Sequence, residues 1–100
     1  MPKRTASTVF TVVTRANQPI KVLPANPRRL VWSAMNLSDT EVFFGYSPDV
    51  GTSGRKKGWR IAPSYGTVED EYAKDEVYII CASAGKEVTI AETSEVPEGG

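Results

Sequence analysis

The sequence predicts an all-β chain: a single-domain antiparallel β-sandwich or jelly roll of about eight short strands. Three observations carry this. Short runs rich in Val, Ile, Thr, Phe, Tyr and Trp recur along the chain, and such residues suit a pleated, half-buried surface. Clusters of Gly, Pro, Asn, Asp and Ser separate the runs every roughly 8–12 residues, the spacing of a sandwich or barrel. No segment repeats its apolar residues at the 3.6 period of a helix.

Residues 5–13 are β-branched and alternate loosely, so they read as the first strand. Asn17-Gln18-Pro19 turns the chain, and residues 20–23 form a short strand that Pro24 ends. Ala25-Asn26-Pro27 turns again. Residues 28–37 make a long strand, with Leu30, Trp32, Ala34 and Asn36 on the expected core face and Val31, Ser33, Met35 and Leu37 on the other. Ser38-Asp39-Thr40 is a polar turn whose side chains can bond their own backbone, so a β-hairpin with the strand at 41–47 is expected. In that strand Val42, Phe44 and Tyr46 share one face.

Residues 48–58 form the one long loop. It holds Gly51, Gly54 and Gly58 and the basic run Arg55-Lys56-Lys57, and loops of this length often carry function. Residues 59–62 form a short strand stopped by Pro63, with Trp59 expected in the core. Ser64-Tyr65-Gly66 turns. Residues 67–72 read as an acidic edge strand, where charge discourages unwanted pairing. Residues 76–83 are the most apolar and are expected to be central. Ala84-Gly85-Lys86 turns into a last strand at 87–93. The whole chain, 1–100, reads as one domain with flexible or partner-bound arms at 1–7 and 94–100.

Composition narrows the function classes. No apolar run approaches the length that spans a membrane as a helix, and no apolar stretch follows the basic N-terminus as in a secretory signal. The single cysteine, Cys81, lies in Val-Tyr-Ile-Ile-Cys-Ala and is expected to pack as a small buried hydrophobe, consistent with a reducing compartment. Asn36-Leu37-Ser38 fits a glycosylation acceptor only by chance if there is no secretory route.

No histidine is present. The commonest general base and metal ligand is thereby missing, and with one Cys no usual zinc site can form. The sequence marks no catalytic residue, no cofactor and no metal site. Glu69-Asp70-Glu71 with Asp75-Glu76 lacks the ligand spacing and loop glycine of a calcium-binding EF-hand. The loop Gly51-Thr-Ser-Gly-Arg-Lys-Lys-Gly58 lacks the Lys-Ser/Thr ending and following helix of a phosphate loop. Arg55, Lys56, Lys57 and Arg60 beside Trp59 resemble a single-strand nucleic-acid recipe, but the chain is neutral overall, so nucleic acid is not the expected partner.

The charges are unevenly spread. Residues 1–60 hold ten Lys/Arg against three Asp/Glu; residues 61–100 hold two against nine. Either the two halves pair within the molecule, or one copy's basic loop meets an acidic edge on a neighbour. Complementary patches steer docking and fix register.

Pro24, Asn26, Pro27, Arg29, Asn36, Ser38, Asp39, Thr40, Val42, Gly45, Ile61, Ala62, Pro63, Glu71, Val77, Tyr78 and Ala82 fall in an order that resembles small tailed-bacteriophage virion proteins of the head decoration or cement type. The resemblance covers about residues 20–92 and rests mainly on turn and core positions. It implies a virion β-sandwich, made in the host cytoplasm, that docks on the outer capsid surface. Its implied partners are the major capsid protein and copies of itself as a homo-oligomer, a dimer or trimer. The residues expected at the interfaces are Lys3, Arg4, Arg55, Lys56, Lys57 and Arg60 on the basic side and Glu69, Glu71 and Glu76 on the acidic side. A tail, neck or fibre-associated β-module touching a host glycan is the alternative, which exposed aromatics such as Tyr46 or Tyr65 would favour.

Overall fold

Strands alternate between two sheets almost without exception. The computed structural model describes residues 4–71 and 73–96. In chain order the strands are β1 (Thr5–Val13), β2 (Ile20–Leu23), β3 (Arg29–Asn36), β4 (Val42–Gly45), β5 (Trp59–Ile61), β6 (Gly66–Glu71), β7 (Val77–Ile80) and β8 (Glu87–Glu95). One sheet has the order β1-β8-β3-β6 and the other β2-β7-β4-β5. All the ladders between these strands are antiparallel. Eight strands in two such interleaved sheets form a jelly roll. The acidic strand β6 is an edge and the apolar strand β7 is internal, as the sequence predicts.

The core lies between the sheets. Trp32, Ala34, Val88 and Ile90 of the first sheet pack against Val42, Phe44, Ile61, Val77 and Ile79 of the second. Each large apolar side chain removed from water contributes about 1.5–3 kcal/mol. Trp32 meets Phe44 edge to face at 5.1 Å, the geometry that the ring quadrupoles favour. Cys81 is fully buried at the end of β7; its thiol donates to the Glu41 carbonyl and accepts from the Ser83 amide.

Four sequence expectations need correction. First, β3 and β4 do not form a hairpin: β3 pairs with β8 and β6, and β4 with β7 and β5. The connection crosses from one sheet to the other, held by the buried Asn36. Its amide donates to the carbonyls of Thr40 and Ile61, and its oxygen accepts from the Ser38 amide and hydroxyl. That burial also makes Asn36 inaccessible as a glycan acceptor.

Second, Leu30 is 36% exposed and leaves the core, while Arg29 is 0% exposed. A register shift between Arg29 and Val31 causes the exchange, because one extra residue on a strand re-aims the side chains beside it. The guanidinium lies in a cage of acceptors: Nε donates to Glu92 (2.6 Å), Nη1 to the carbonyls of Ala73 and Asp75, and Nη2 to that of Pro24. Third, Trp59 is 61% exposed rather than in the core; β5 is the sheet edge, so its open side has no strand to cover the ring.

Fourth, part of the expected arms is strand. Thr5, Ala6 and Ser7 pair with Glu95, Ser94 and Thr93. The remainder of those arms, residues 1–3 and 97–100, lies outside the described residues.

Candidate partner interface

The β4–β5 loop that carries the basic run is pinned to the body of the protein. Val50 is buried and packs with Phe43, Ile80 and Tyr78 on the outer side of the second sheet. This explains why both phenylalanines of β4 are buried: Phe44 faces the main core, and Phe43 lies under the loop. A Cβ on Gly45 would meet the Val50 side chain at 2.8 Å, and one on Gly58 would meet the Phe44 carbonyl at 2.4 Å. Both glycines therefore allow the close approach. Gly51 N–H bonds the Lys56 carbonyl and Gly58 N–H bonds the Gly51 carbonyl, closing the loop on itself.

Within this frame Gly54–Lys56 makes one 3-10 turn. Lys56 pairs with Asp49 at 2.8 Å, and Lys57 sits 5.3 Å above the Phe43 ring, a cation–π contact. The Lys56 ammonium, with help from the Ser47 hydroxyl, holds the Asp49 carboxyl below its ordinary range. Arg55 is exposed, and no ion pair or hydrogen bond engages its side chain among the described residues. Sequence reasoning selected all three basic residues; the structure divides them into two that stabilise the loop and one that points away from it.

The other expected contact residues are dispersed. Arg60 pairs with Glu41, just before β4. Glu76 pairs with Lys21 at 3.1 Å and accepts from the Tyr78 hydroxyl, and both contacts lower its pKa, Lys21 first. Glu69 and Glu71 share the outer face of β6, with Asp70 on the core side. Glu69 lines a shallow groove on that face with Ser33, Met35, Thr67, Thr89 and Ala91. Arg4 is exposed beside β1, and its carbonyl accepts from the Val96 amide. Lys3 lies outside the described residues. Among the described residues no ion pair joins the basic set to the acidic set.

The uneven charge is partly resolved within the molecule. Lys21–Glu76 and Arg29–Glu92 each join a cation of the basic first part of the chain to an anion of the acidic last part, whereas Lys86–Asp39 runs the other way. Among the described residues, Arg55, Glu69 and Glu71 are exposed and outside the ion pairs, as are Arg4, Arg15, Arg28, Asp75 and Glu87.

An aromatic cluster unrecognised in the sequence borders the loop. Trp59 stacks on Phe44 at 5.4 Å with an interplanar angle of 26° and lies 5.9 Å from Tyr46. Beneath it, the buried Trp32 indole donates to the Tyr46 hydroxyl at 3.2 Å, and that hydroxyl donates to Asp70. The chain Trp32–Tyr46–Asp70 ties β3 and the end of β4 to the acidic edge strand. Burial, reinforced by Asp70, pushes the Tyr46 phenol up to about 12.

A phenol whose folded pKa lies above its unfolded value of about 10 stabilises the fold while protonated, and that stability is lost as pH rises. We expect Tm to fall between about pH 10 and 12. Tyr46→Phe should lower Tm at neutral pH by leaving the Trp32 N–H unpaired, and should flatten the decline above pH 10. Thermal melts of both proteins across that range check this; equal slopes would refute it.

Among the described residues, no group of His, Cys, Asp and Glu could hold a metal ion, and no helix is long and apolar enough to cross a membrane. No protein-family model and no curated protein matches the chain. The fold is similar to that of a chain in a solved structure described as "Bacillus endospore appendages form a novel family of disulfide-linked pili". The TM-score is 0.53 at 13% identity, over 97% of this chain and 93% of that one. At that identity the likeness speaks to the β-sandwich fold.

Proposed function

We propose that this protein is a structural virion component that docks on the outside of a bacteriophage capsid lattice and reinforces it, as a decoration or cement subunit. The observation that carries this reading is the pinned β4–β5 loop. Buried Val50 and the loop's own backbone bonds tie it down, and it presents the unpaired Arg55 while Lys56 and Lys57 are engaged within the domain. A preformed loop loses little conformational freedom on docking. Small modules of this kind gain avidity by repeating the same weak contact across a lattice.

The resemblance to small virion proteins points to the same role. In this reading the major capsid protein supplies an acidic site for Arg55, and copies of the protein associate with one another.

The test is co-sedimentation with mature or expanded capsid shells. Saturable binding at hundreds of copies per shell is expected. Arg55→Glu should weaken it by tenfold or more, and raising salt should weaken the wild type further. Because Lys56 and Lys57 have partners within the chain, Arg55 alone is the clean reversal: the fold should be unchanged by circular dichroism. Wild-type affinity in Arg55→Glu would remove the loop from the interface.

A second reading, a tail or fibre-associated module that contacts a host glycan, draws on the exposed ring of Trp59 stacked on Phe44. Such a face suits stacking against a sugar. Quenching or shift of Trp fluorescence by polysaccharide, lost in Trp59→Ala, would favour it over the capsid role.

A further inference from the structure

We infer that the free edge of β1 is a self-association site, and that two copies of the chain pair there antiparallel to make one continuous eight-stranded sheet. The inference deepens the self-association in the reading above, and its test is separate from any capsid.

Edge strands with open backbone groups are templates for pairing, and proteins usually blunt them with charge, proline, bulges or shortness. The other edges here are blunted. β5 spans Trp59–Ile61 and β2 spans Ile20–Leu23, both short, and β2 carries Lys21 and an irregular register. β6 carries Glu69, Asp70 and Glu71. β1 has none of these protections. Its nine residues, Thr-Ala-Ser-Thr-Val-Phe-Thr-Val-Val, contain no charge and no proline, and its register with β8 is unbroken from Thr5 to Val13.

The hydrogen-bond phase shows what the edge offers. The Arg4 carbonyl accepts from Val96, and the Thr14 amide donates to Lys86. Even-numbered residues therefore bond toward β8, and in an antiparallel ladder the alternate residues turn their N–H and C=O the other way. Thr5, Ser7, Val9, Thr11 and Val13 thus direct their backbone groups to the open edge.

A second copy fits this edge in a symmetric register. With Val9 opposite its own equivalent, Ser7 falls opposite Thr11 and Thr5 opposite Val13. All five edge-directed residues then form hydrogen-bonded pairs, giving about ten interchain bonds. The arrangement is isologous, so it closes as a two-fold dimer rather than growing as a filament. Charge selects the occupant. An uncharged strand meets its own copy without like-charge contact, whereas the acidic β6 repels its own copy and cannot extend the sheet from the other side. On the outer face Val9 and Val13, 67% and 55% exposed, would gain cross-strand neighbours on pairing.

Sedimentation velocity of the full chain at micromolar concentrations tests this. A dimer is expected for the wild type. Val9→Lys places two like charges at the two-fold axis, and Thr11→Pro removes an edge-directed donor while keeping every bond to β8. Both should give folded monomers, with dimer affinity lowered by at least tenfold. Hydrogen exchange gives a second readout: amides of Val9 and Thr11 should be protected in the wild-type dimer and fast in Val9→Lys, with Phe10 and Val12 slow in both. A wild-type monomer, or a dimer that survives both substitutions with fast Val9 and Thr11 amides, overturns the proposal. Loss of the dimer with undiminished shell binding would separate it from the capsid reading.

Discussion

Replacing Arg29 by Met should lower the stability of the domain by about 3–5 kcal/mol, the usual cost of removing one partner from a buried charge pair. The side chain is completely enclosed, and its partner Glu92 is only 16% exposed. Losing the guanidinium leaves that carboxylate with little solvent. It also strands the carbonyls of Pro24, Ala73 and Asp75, which lie on two separate connections. Met restores much of the volume but none of the donors. Lys restores the charge but has a single nitrogen to serve a planar array of four acceptors, so Arg29→Lys should recover only part of the loss.

For a domain of this size each kcal/mol shifts Tm by roughly 4–8 °C. Arg29→Met should therefore melt more than 10 °C below wild type, or fail to fold at 37 °C if total stability is near the low end of the usual 5–15 kcal/mol. Urea unfolding of wild type, Arg29→Met, Glu92→Gln and the double variant measures the coupling. A loss under 1 kcal/mol in Arg29→Met would mean that the cage contributes nothing net.

The sequence makes strand identity legible and strand partnership much less so. Alternation and β-branching locate β1 and β2 at the bounds observed, and charge marks β6 as an edge. Pairing is set by which faces must be covered, and that information is spread across the chain. Phe43-Phe44 held the missing signal: consecutive large apolar residues in a short strand imply that both faces are buried, here by the core and by Val50 of the following loop. A two-sided hairpin in solvent would not need that.

Buried polar residues were the second blind spot. Arg28-Arg29 opens the long strand with neither residue on the core-face set, because nothing local shows that Glu92, more than sixty positions away, will meet Arg29. The basic loop was legible as a unit, since glycines and cations cluster there. Its division was not: Asp49 and Phe43 engage Lys56 and Lys57 through a loop closure that composition does not encode. The uncharged length of β1, by contrast, was visible throughout, and its meaning emerged only when the topology placed it at an edge.

Asn36 is the residue on which the jelly-roll connection most depends, and Asn36→Ala should cost about 2–4 kcal/mol. Its single amide group makes four contacts: donation to Thr40 and Ile61, acceptance from the Ser38 amide and hydroxyl. Each buried group left unpaired costs about 1–3 kcal/mol, though Ser38 is only half-buried and can recover water. The loss should be local in kind. Strand β3 keeps its ladders to β6 and β8, so the first sheet persists, while the passage to β4 loses its brace. Hydrogen exchange should then show the largest rise at residues 38–45 and at Ile61, with Val88 and Ile90 little changed. Asn36→Asp separates the two roles: it keeps the acceptor toward Ser38 but turns a carboxylate toward two carbonyls, so it should destabilise at least as much as Ala. If Asn36→Asp were as stable as wild type at neutral pH, the donated bonds to Thr40 and Ile61 would carry no weight, and the crossing would rest on core packing alone.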